Sequence, residues 1–556
     1  MVPFPCGAAR RANPPATANE GQELDKDSIG QLLRSPALRG HGSEPVLRET
    51  HISWVILAGE YAYKIKKPVN FGFLDFSTLE QRRFFCEQEL ALNKRFAPEL
   101  YLAVVPITAS ADGPVLAGSR QGNAGGELLD YAVQMRRFDE AQLLSNIAAR
   151  GELDRALVRE LGRELAHQQA AAQACHPVPG SDEPGSPAAL RAAMVQNFAQ
   201  ARAYPLQAAQ RQLLEAVEHW SLQAHERLLP LLAQRAASGR VLDGHGDAHL
   251  GNIALVDGRV RLFDCIEFNP AMRIMDSMAE IAFLCMDLQA RSHEPESHCL
   301  LGDYLEYRGD YEGLPLLDLY RGYFAMVRAK VALLREPASA ADLTASEAYR
   351  DFCRYLQLAH SCCQRPAPFL AITHGVSGTG KSTIADKLVG ASGALRLRSD
   401  VERKRLFGLA PEQRSAPADE AELYSSAMSR RTFDRLATLA GQSVAAGYAV
   451  IVDATFLHRD SRQRFYQLAQ QRQLPFAIID CVAPPGEVQR RLQVREQLGN
   501  DASEAGVRVM LSQQANAEPL TARERRYQVQ ASSTTRAGEL WRRLQAGLRR
   551  PDPAPG

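Results

Sequence analysis

The feature that most constrains this chain is a glycine-rich loop that directly follows an apolar run. The string GVSGTGKST spans residues 375–383, follows FLAITH and leads into a helical pattern. It is a complete G-x-x-x-x-G-K-S loop in the strand–turn–helix setting that such a loop requires. Its glycines let backbone N–H groups face phosphates, and the helix N-terminus adds positive charge. The pattern therefore predicts a strand, a phosphate-binding turn and a helix.

The same loop contains the side chains that a nucleotide needs. Lys381 is placed to reach the β- and γ-phosphates, and Ser382 offers a hydroxyl to magnesium. ATP and Mg²⁺ are therefore the predicted cofactors. The predicted nucleotide-binding residues of the loop are Gly375, Gly378, Gly380, Lys381, Ser382 and Thr383.

Beyond the loop, strand-like and helix-like runs alternate, which is typical of a parallel α/β sheet. ALRLRSD (394–400) ends a strand on Asp400, and VIVDATF (450–456) places Asp453 at the end of another. Asp400 would orient or deprotonate an acceptor hydroxyl. Asp453 would bind metal or substrate. The alternative for each is an ordinary carboxylate at a strand end that caps a helix.

Two arginines follow in RRLQVRE, at residues 490–496. Arg491 and Arg495 are four residues apart and therefore share a helical face. They would suit a lid that closes on the triphosphate. A solvated helix face is the alternative.

A second polar constellation lies earlier in the chain. HGDAHLGN (245–252) follows the strand-like run RVLDG, and RLFDCIEF then places Asp264 after another strand. Asp247 can accept the proton of an attacking hydroxyl, while Asn252 and Asp264 can hold magnesium against phosphates. The two histidines of the motif are expected to brace the loop. The alternative is an Asp/Asn-containing turn between two buried strands. Downstream of the motif, helices are predicted from about 274 to 358.

Strand, strand, helix, strand, strand is the order predicted upstream of this motif. The first strands occupy 51–59 and 60–67, and the helical pattern covers 77–96. The last strand, YAVQMRRF (131–138), would bind adenine through its backbone. This is the element order of a kinase N-lobe.

The strand at 60–67 carries two lysines. Lys64 fits the residue that grips the α- and β-phosphates, and Lys66 competes because it faces the same side of the strand. The acidic partner is expected on the following helix, where Glu89 is favoured over Glu87. For both glutamates the alternative is a solvated helical charge.

This first region resembles the aminoglycoside-phosphotransferase-like branch of the protein-kinase fold, which includes choline-, homoserine- and fructosamine-kinase relatives. HGDAHLGN is the most specific motif of the resemblance, which covers residues 45–340. It implies that Asp247 is the base and that Asn252 and Asp264 are metal ligands. No G-x-G-x-x-G loop precedes the lysine, so how the phosphates are covered is left open.

Residues 368–547 resemble small P-loop kinases grouped with polynucleotide kinase 5′-domains and with zeta-toxin-like and gluconate-kinase-like enzymes. The string DASEAGVRVMLSQQANAEPL also resembles that group. The resemblance implies that Asp400 activates the acceptor. As a whole, the chain is similar to bacterial fusions of an aminoglycoside-phosphotransferase-like domain with an AAA-type ATP-binding domain.

The predicted fold class is α/β multidomain: a bilobal, protein-kinase-like α+β module followed by a parallel-sheet P-loop module. The boundary is expected at QRPAP, residues 364–368. The predicted domains are a disordered N-terminus at 1–22, a kinase-like domain at 23–363 and a P-loop domain at 368–550.

Composition limits the classes of partner that this chain is expected to bind. The 556 residues have a formal net charge of +1, so broad attraction to nucleic acid or an anionic membrane is not expected. No run approaches the length of a membrane-spanning helix, and the N-terminus lacks the apolar core of a secretory signal. The ten cysteines form neither a paired C-x-x-C motif nor a zinc-binding Cys/His spacing. This predicts reduced thiols and a cytoplasmic location.

These features predict a tandem ATP-dependent phosphotransferase that acts on small-molecule hydroxyls. One alternative is a regulatory protein in which one module senses nucleotide while the other acts. Another is a kinase for 5′-hydroxyl ends of nucleic acid that uses the P-loop module.

Overall fold

A computed structural model describes residues 24–39, 44–72, 74–116, 126–339, 342–416, 418–498, 503 and 506–550. The segment 1–22, predicted to be disordered, lies outside the described residues. None of the described helices is long and apolar enough to cross a membrane. All nine cysteines in the described part of the chain are free thiols.

The described residues form sixteen strands. They are β1 (Val46–Glu49), β2 (Ser53–Ala58), β3 (Tyr61–Lys66), β4 (Tyr101–Ser110), β5 (Gly113–Leu116), β6 (Leu128–Arg136), β7 (Ala174–Cys175), β8 (Val241–Asp243), β9 (Ile253–Val256), β10 (Arg259–Leu262), β11 (Ile274–Asp276), β12 (Leu370–His374), β13 (Leu395–Arg398), β14 (Val450–Asp453), β15 (Phe476–Cys481) and β16 (Gln528–Ala531).

The same residues form nineteen α-helices. They are α1 (Lys26–Arg34), α2 (Pro36–Arg39), α3 (Leu79–Asn93), α4 (Leu144–Ala149), α5 (Arg155–Ala171), α6 (Pro187–Arg202), α7 (Ala208–Ala237), α8 (Ser277–Ala290), α9 (Glu294–Arg308), α10 (Leu317–Leu333), α11 (Glu347–Ser361), α12 (Lys381–Ser392), α13 (Ser399–Phe407), α14 (Glu420–Leu423), α15 (Ser426–Ala445), α16 (Arg459–Gln471), α17 (Pro485–Leu498), α18 (Val507–Ala515) and α19 (Ala537–Gly547).

Contacts within the chain divide the described residues into two compact units. Unit one takes those within Met1–Leu153, Ala171–Leu284 and Tyr323–Gln357. Unit two takes those within Asp154–Ala170, Cys285–Gly322 and Leu358–Gly556. The domain limits 23–363 and 368–550 stay predictions.

Unit one contains a six-stranded antiparallel sheet in the order β1-β2-β3-β6-β4-β5. Ile65 of β3 is buried in one core cluster with residues of α1. Val133 of β6 is buried in another cluster with Cys86 of α3. Successive side chains of a strand face opposite sides, so Lys64 and Lys66, the neighbours of Ile65, face away from that first cluster and toward α3.

A two-stranded hairpin of unit one holds its polar loops together. β9 and β10 pair in antiparallel register, with Leu262 opposite Ile253. Their turn is Asp257–Gly258, and both residues have positive φ, 49° and 75°, as a two-residue hairpin turn requires. The residues just before β9 and just after β10 therefore lie at the same end of the hairpin.

Unit two contains a five-stranded sheet in the order β13-β14-β12-β15-β16, and every neighbouring pair is parallel. Leu370, Ala371 and Ile372 of the central β12 are fully buried, as expected for a strand covered on both faces. The chain leaves β12 through α12 to one side of the sheet and later returns to β15 on the other. Such a switch in strand order creates a crevice at the carboxyl ends of the strands.

These two sheets confirm the predicted fold class, a protein-kinase-like α+β module followed by a parallel-sheet P-loop module. Two local predictions were wrong. Residues 274–276, expected to begin a helical stretch, form β11, which pairs with β8. The strand expected to end on Asp400 ends at Arg398, because Ser399 already begins α13.

Candidate functional site

In unit one, Lys64 and Lys66 of β3 reach the same carboxylate. Lys64 Nζ lies 2.8 Å from Glu89 Oε1, and Lys66 Nζ lies 2.7 Å from Glu89 Oε2. Glu87 instead lies on the exposed face of α3, where it pairs with Arg83 at 2.9 Å. The fold therefore brings Glu89, and not Glu87, to β3.

The two lysines differ in their other partner. Lys64 Nζ lies 2.5 Å from Asp264 Oδ1, and 13% of the Lys64 side chain is exposed. Lys66 pairs with Glu267, and its side chain is only 1% exposed. Lys64 thus borders both a predicted metal ligand and solvent, while Lys66 is enclosed between two glutamates. This geometry favours Lys64 as the lysine that grips phosphate.

Opposite charges keep Lys64 and Glu89 ionised. Burial alone would lower the pKa of Lys64, but the carboxylates of Asp264 and then Glu89 raise it well above its ordinary value. Burial alone would raise the pKa of Glu89, but Lys64 and Lys66 lower it to about 2. Buried charges require such partners.

The HGDAHLGN loop holds Asp247 from two sides. Asn252 Nδ2 donates to Asp247 Oδ2 at 2.9 Å and to the Asp247 carbonyl at 3.1 Å. His249 Nε2 lies 3.5 Å from Asp247 Oδ2. Burial tends to raise the pKa of Asp247, but the His249 contact and nearby positive charge lower it below its ordinary value. The carboxylate is thus oriented and ionised, as a base must be.

His245 ties this loop to the residue before Asp264. Its Nε2 faces the Phe263 carbonyl at 2.9 Å, and its Nδ1 faces the Asp247 N–H at 3.3 Å. A nitrogen facing a carbonyl donates and one facing an N–H accepts, so the ring is neutral with its proton on Nε2. Burial also lowers the pKa of His245. The predicted bracing role therefore has a hydrogen-bonding basis.

Asp264 follows β10 in a left-handed backbone conformation, with a φ of 63°. Its N–H donates to the Tyr101 hydroxyl at 3.0 Å. Positive φ is uncommon outside glycine and clusters at functional sites. The Asp264 side chain is 43% exposed, and Asn252 precedes the paired strand of the same hairpin. The hairpin therefore brings the two predicted metal ligands to one end.

Unit one thus presents a cation for phosphate, two oxygen ligands and a base. Among the described residues, no group of three or more His, Cys, Asp or Glu could hold a metal. Mg²⁺ typically takes only one or two protein carboxylates and relies on substrate phosphates and water for the rest. Asn252 and Asp264 therefore fit magnesium bound together with a nucleotide.

In unit two, the glycine-rich loop joins β12 to α12. Gly375, Gly378 and Gly380 all have positive φ. A Cβ on Gly378 would lie 2.9 Å from Val488 Cγ1, and one on Gly380 would lie 2.9 Å from Arg491 Nη1. Glycine alone combines this backbone freedom with the absence of a Cβ. The glycine-rich loop is therefore closely packed against its neighbours, and its backbone N–H groups suit a bound phosphate.

Lys381 is the first residue of α12, and its Nζ donates to the Val376 carbonyl at 2.8 Å. Ser382 follows it and is partly buried, while Thr383 is exposed on the same turn. The first N–H groups of a helix have no partners inside it. The loop thus places a cation, a hydroxyl and a helix N-terminus together.

Asp453 ends β14 in register with Arg398 of β13. Its Oδ2 is buried without a hydrogen-bond partner among the described residues. Burial raises the pKa of Asp453, and the charge of Arg398 and a hydrogen bond with Ser382 offset this in part. An unpartnered carboxylate oxygen beside a serine hydroxyl fits a divalent cation. Ser382 and Asp453 are therefore placed to hold magnesium.

Asp400 lies in the first turn of α13, two residues beyond the end of β13, and is partly buried. Because β13 and β14 are parallel neighbours, Asp400 and Asp453 follow strand ends at the same edge of the sheet. That edge also carries the glycine-rich loop. The structure thus brings both predicted acids to the crevice beside the loop.

Arg491 of α17 reaches the same loop. Its Nε donates to Glu487 Oε1 and its Nη2 to Ser533 Oγ, both at 2.8 Å. Its Nη1 is buried, has no hydrogen-bond partner within the described part of the chain and faces Gly380. A guanidinium donor next to a phosphate cradle suits phosphate oxygens. The side chain of Arg495 lies outside the described residues.

Sequence reasoning missed several supporting residues in unit one. Glu267, the partner of Lys66, lies only three residues after Asp264 in the string RLFDCIEF. Asn93 lies four residues after Glu89 on α3, and its Oδ1 accepts from the Cys265 N–H at 2.8 Å. Helical spacing from Glu89 was the available signal for Asn93.

Comparison with known proteins covers both regions. Residues 370–520 match the family model described as an AAA domain. This span contains the glycine-rich loop, so the P-loop assignment is confirmed. The chain is similar to the uncharacterized proteins Mb2027c of Mycobacterium bovis and Rv2004c of Mycobacterium tuberculosis. Each is 29% identical over 476 residues, which is 84% of this chain and 90% of the relative. The likeness therefore extends beyond the AAA domain.

Two solved structures are also similar. A choline/ethanolamine kinase family protein from Mesorhizobium loti is 13% identical, covers 60% of this chain and 98% of its own, and has a TM-score of 0.34. A sugar kinase from Janibacter sp. is 20% identical, covers 33% of this chain and 94% of its own, and has a TM-score of 0.25.

Proposed function

We propose that the protein is a tandem ATP-dependent phosphotransferase in which each module transfers a γ-phosphoryl group to a hydroxyl of a small molecule. The observation that carries the proposal is that both units contain all the groups needed for phosphoryl transfer. Each unit has its own lysine, magnesium-type ligands and acid, and phosphoryl transfer depends mainly on such positioning and charge neutralisation.

In unit one, bound MgATP would supply the phosphoryl group and the metal charge that stabilises its transfer. Lys64 would bind phosphate oxygens while Glu89 holds it in place. Asn252 and Asp264 would hold the metal. Asp247 would accept the proton of the acceptor hydroxyl, since it is ionised and fixed by its neighbours.

In unit two, Lys381 and the N–H groups of the loop would bind the β- and γ-phosphates. Ser382 and Asp453 would hold magnesium. Asp400, at the same sheet edge, would orient or deprotonate the acceptor hydroxyl. Arg491 would donate a hydrogen bond from Nη1 to the phosphates.

The proposal includes a cytoplasmic location, where ATP is available, and small molecules as acceptors. The formal net charge of +1 supports small acceptors over nucleic acid, because nucleic-acid binding relies on many positive charges.

The test is a phosphorylation screen of the full-length protein with radiolabelled ATP, Mg²⁺ and a library of hydroxyl-bearing metabolites. The Asp247→Asn and Lys381→Ala variants are expected to lose different labelled products. If either variant loses all products, a single active module with a nucleotide-sensing partner replaces the tandem scheme. Labelling of a 5′-hydroxyl oligonucleotide that Lys381→Ala abolishes would instead indicate a nucleic-acid kinase.

A further inference from the structure

Within unit two, Glu306 of α9 is a buried acid that contacts two arginines of β13. Its Oε1 accepts from Arg396 Nε at 2.9 Å, and its Oε2 lies 3.7 Å from Arg398 Nη1. Glu306 is 5% exposed. It lies on α9, outside residues 370–520 that match the AAA domain.

Each arginine borders a different predicted metal ligand. Arg396 Nη1 donates to the Ser382 carbonyl at 3.3 Å. Arg398 Nε lies 4.0 Å from Asp453 Oδ2, the oxygen without a hydrogen-bond partner among the described residues. Through these two side chains, Glu306 is connected to both Ser382 and Asp453.

Arg398 therefore stands between two carboxylates, Glu306 and Asp453. Burial tends to raise the pKa of Glu306, but Arg396 and Arg398 lower it below its ordinary value, so Glu306 is charged. Its attraction opposes the pull of Asp453 on Arg398. A distance of 4.0 Å between Arg398 and Asp453 is too long for a hydrogen bond, which leaves the Asp453 oxygen open.

We propose that Glu306 is a positioning residue of the P-loop site, which holds Arg398 away from Asp453 and so keeps that carboxylate open to Mg²⁺. A charge-assisted pair between Arg398 and Asp453 would occupy the oxygen that the cation needs. Arg396 keeps a second carboxylate, Asp386, at 3.3 Å, so it stays held when the Glu306 charge is lost. The inference rests on the proposed function in one respect, that unit two binds MgATP.

The test uses full-length protein in which Lys64→Ala removes the nucleotide site of unit one in every sample. Binding of radiolabelled ATP is measured at equilibrium, with Mg²⁺ and with EDTA. Mg²⁺ is expected to increase the ATP affinity of the parent. Glu306→Gln should make this increase roughly 10- to 100-fold smaller, the usual effect of losing a residue that supports a metal ligand. ATP binding in EDTA should stay unchanged. Glu296→Gln, the same change on the same helix, is the matched control and should behave as the parent.

A second variant separates positioning from a general loss of structure. Glu306→Gln combined with Arg398→Gln should recover most of the Mg²⁺-dependent gain, because the side chain that captures Asp453 is then neutral. Glu306→Asp keeps the charge and should fall between the parent and Glu306→Gln. The inference is overturned if Glu306→Gln matches the control, if it weakens ATP binding equally in EDTA, or if the double variant recovers nothing.

Lys381→Ala in the same background distinguishes failure of the inference from failure of the proposed function. If MgATP binding by the parent does not depend on Lys381, the P-loop role itself is wrong. If that binding depends on Lys381 while Glu306→Gln matches its control, only the role of Glu306 is wrong.

Discussion

The two sites differ in how their charged groups are held. In unit one, Lys64 is bound by two carboxylates, Glu89 at 2.8 Å and Asp264 at 2.5 Å. In unit two, Lys381 donates to a neutral carbonyl of its own loop, and Asp453 Oδ2 has no hydrogen-bond partner among the described residues. In unit one the phosphate-binding lysine pairs with the metal-binding acid, whereas in unit two Lys381 donates to a carbonyl and the metal-binding acid keeps one oxygen without a hydrogen bond.

This difference has consequences for ligand binding and for stability. Lys64 can bind a phosphate only when a metal cation takes its place beside Asp264. Nucleotide binding by unit one should therefore depend on metal. Lys381 donates instead to a neutral carbonyl, which holds it less strongly than a carboxylate would. Removal of a charge should also destabilise the paired cluster of unit one more than the open loop of unit two, because a buried charge without a partner is costly.

The largest expected effect is that of Lys381→Ala on unit two. The variant should lose at least about 100- to 1,000-fold in nucleotide turnover by the P-loop module, since a preorganised positive group is lost from the phosphates. Its fold should be retained, because the lysine side chain is only partly buried and donates to a carbonyl of its own loop. Turnover is measured in full-length protein that also carries Asp247→Asn. Lys387→Ala on the same helix is the control, and equal turnover in both variants would contradict the P-loop role.

Next in size is Asp247→Asn in unit one. Loss of the base should slow phosphoryl transfer by that module at least about 100-fold, while ATP turnover by unit two stays intact. Asp257→Asn, in the turn of the neighbouring hairpin, is the control, since asparagine tolerates the positive φ of that position. Both activities are assayed in one preparation. Loss of both in a folded variant would indicate one composite active site.

Lys66→Met tests the stability side of the comparison. The side chain is 1% exposed between Glu89 and Glu267, so its loss leaves buried negative charge unpaired and should lower the free energy of unfolding by about 3–5 kcal/mol. Lys94→Met, at the exposed end of α3, should change it little. Chemical denaturation followed by circular dichroism measures the difference. A Lys66→Met variant as stable as the control would show that the cluster does not depend on its ion pairs.

Asp400→Asn should leave ATP binding by unit two unchanged and slow transfer to the acceptor by about 100-fold, the lower end of the range for a lost base. The lower end is expected because the asparagine oxygen can still accept a hydrogen bond from the acceptor hydroxyl and so orient it. Asp460→Asn, in the first turn of α16, is the matched control. Transfer is measured with the acceptor found in the screen, and an unchanged rate would make Asp400 a helix cap.

Local signals made much of the fold predictable. The glycine spacing and the flanking apolar run located β12, the loop and α12 with the correct connection. β11 was missed because residues 274–276 become a strand only by pairing with β8, which lies earlier in the chain. A single short segment carries no sign of a partner so far away, and tertiary pairing overrode its helical pattern.

The site was predictable in its residue types and in the contact between Glu89 and the lysines of β3, but not in its pairings between distant parts of the chain. Strand periodicity puts Lys64 and Lys66 on one face, so it could not choose between them. What separates the two is the partner that returns about 200 residues later, Asp264 for one and Glu267 for the other. Glu306 was beyond sequence reasoning for the same reason, because its contact with Arg396 joins residues 90 positions apart.

The smallest expected effect, and the most direct test of the comparison, is the response of each site to metal removal. Full-length Lys381→Ala retains only the nucleotide site of unit one, and full-length Lys64→Ala retains only that of unit two. When Mg²⁺ is replaced by EDTA, ATP affinity should fall about tenfold further in the first variant than in the second. A partly exposed ion pair such as Lys64–Asp264 is worth roughly 1–4 kcal/mol, of which about 1.4 kcal/mol is a factor of ten. Equilibrium dialysis with radiolabelled ATP measures both affinities. Equal losses would mean that Asp264 does not hold Lys64 back from phosphate, and the contrast between paired and open charges would then have no consequence for binding.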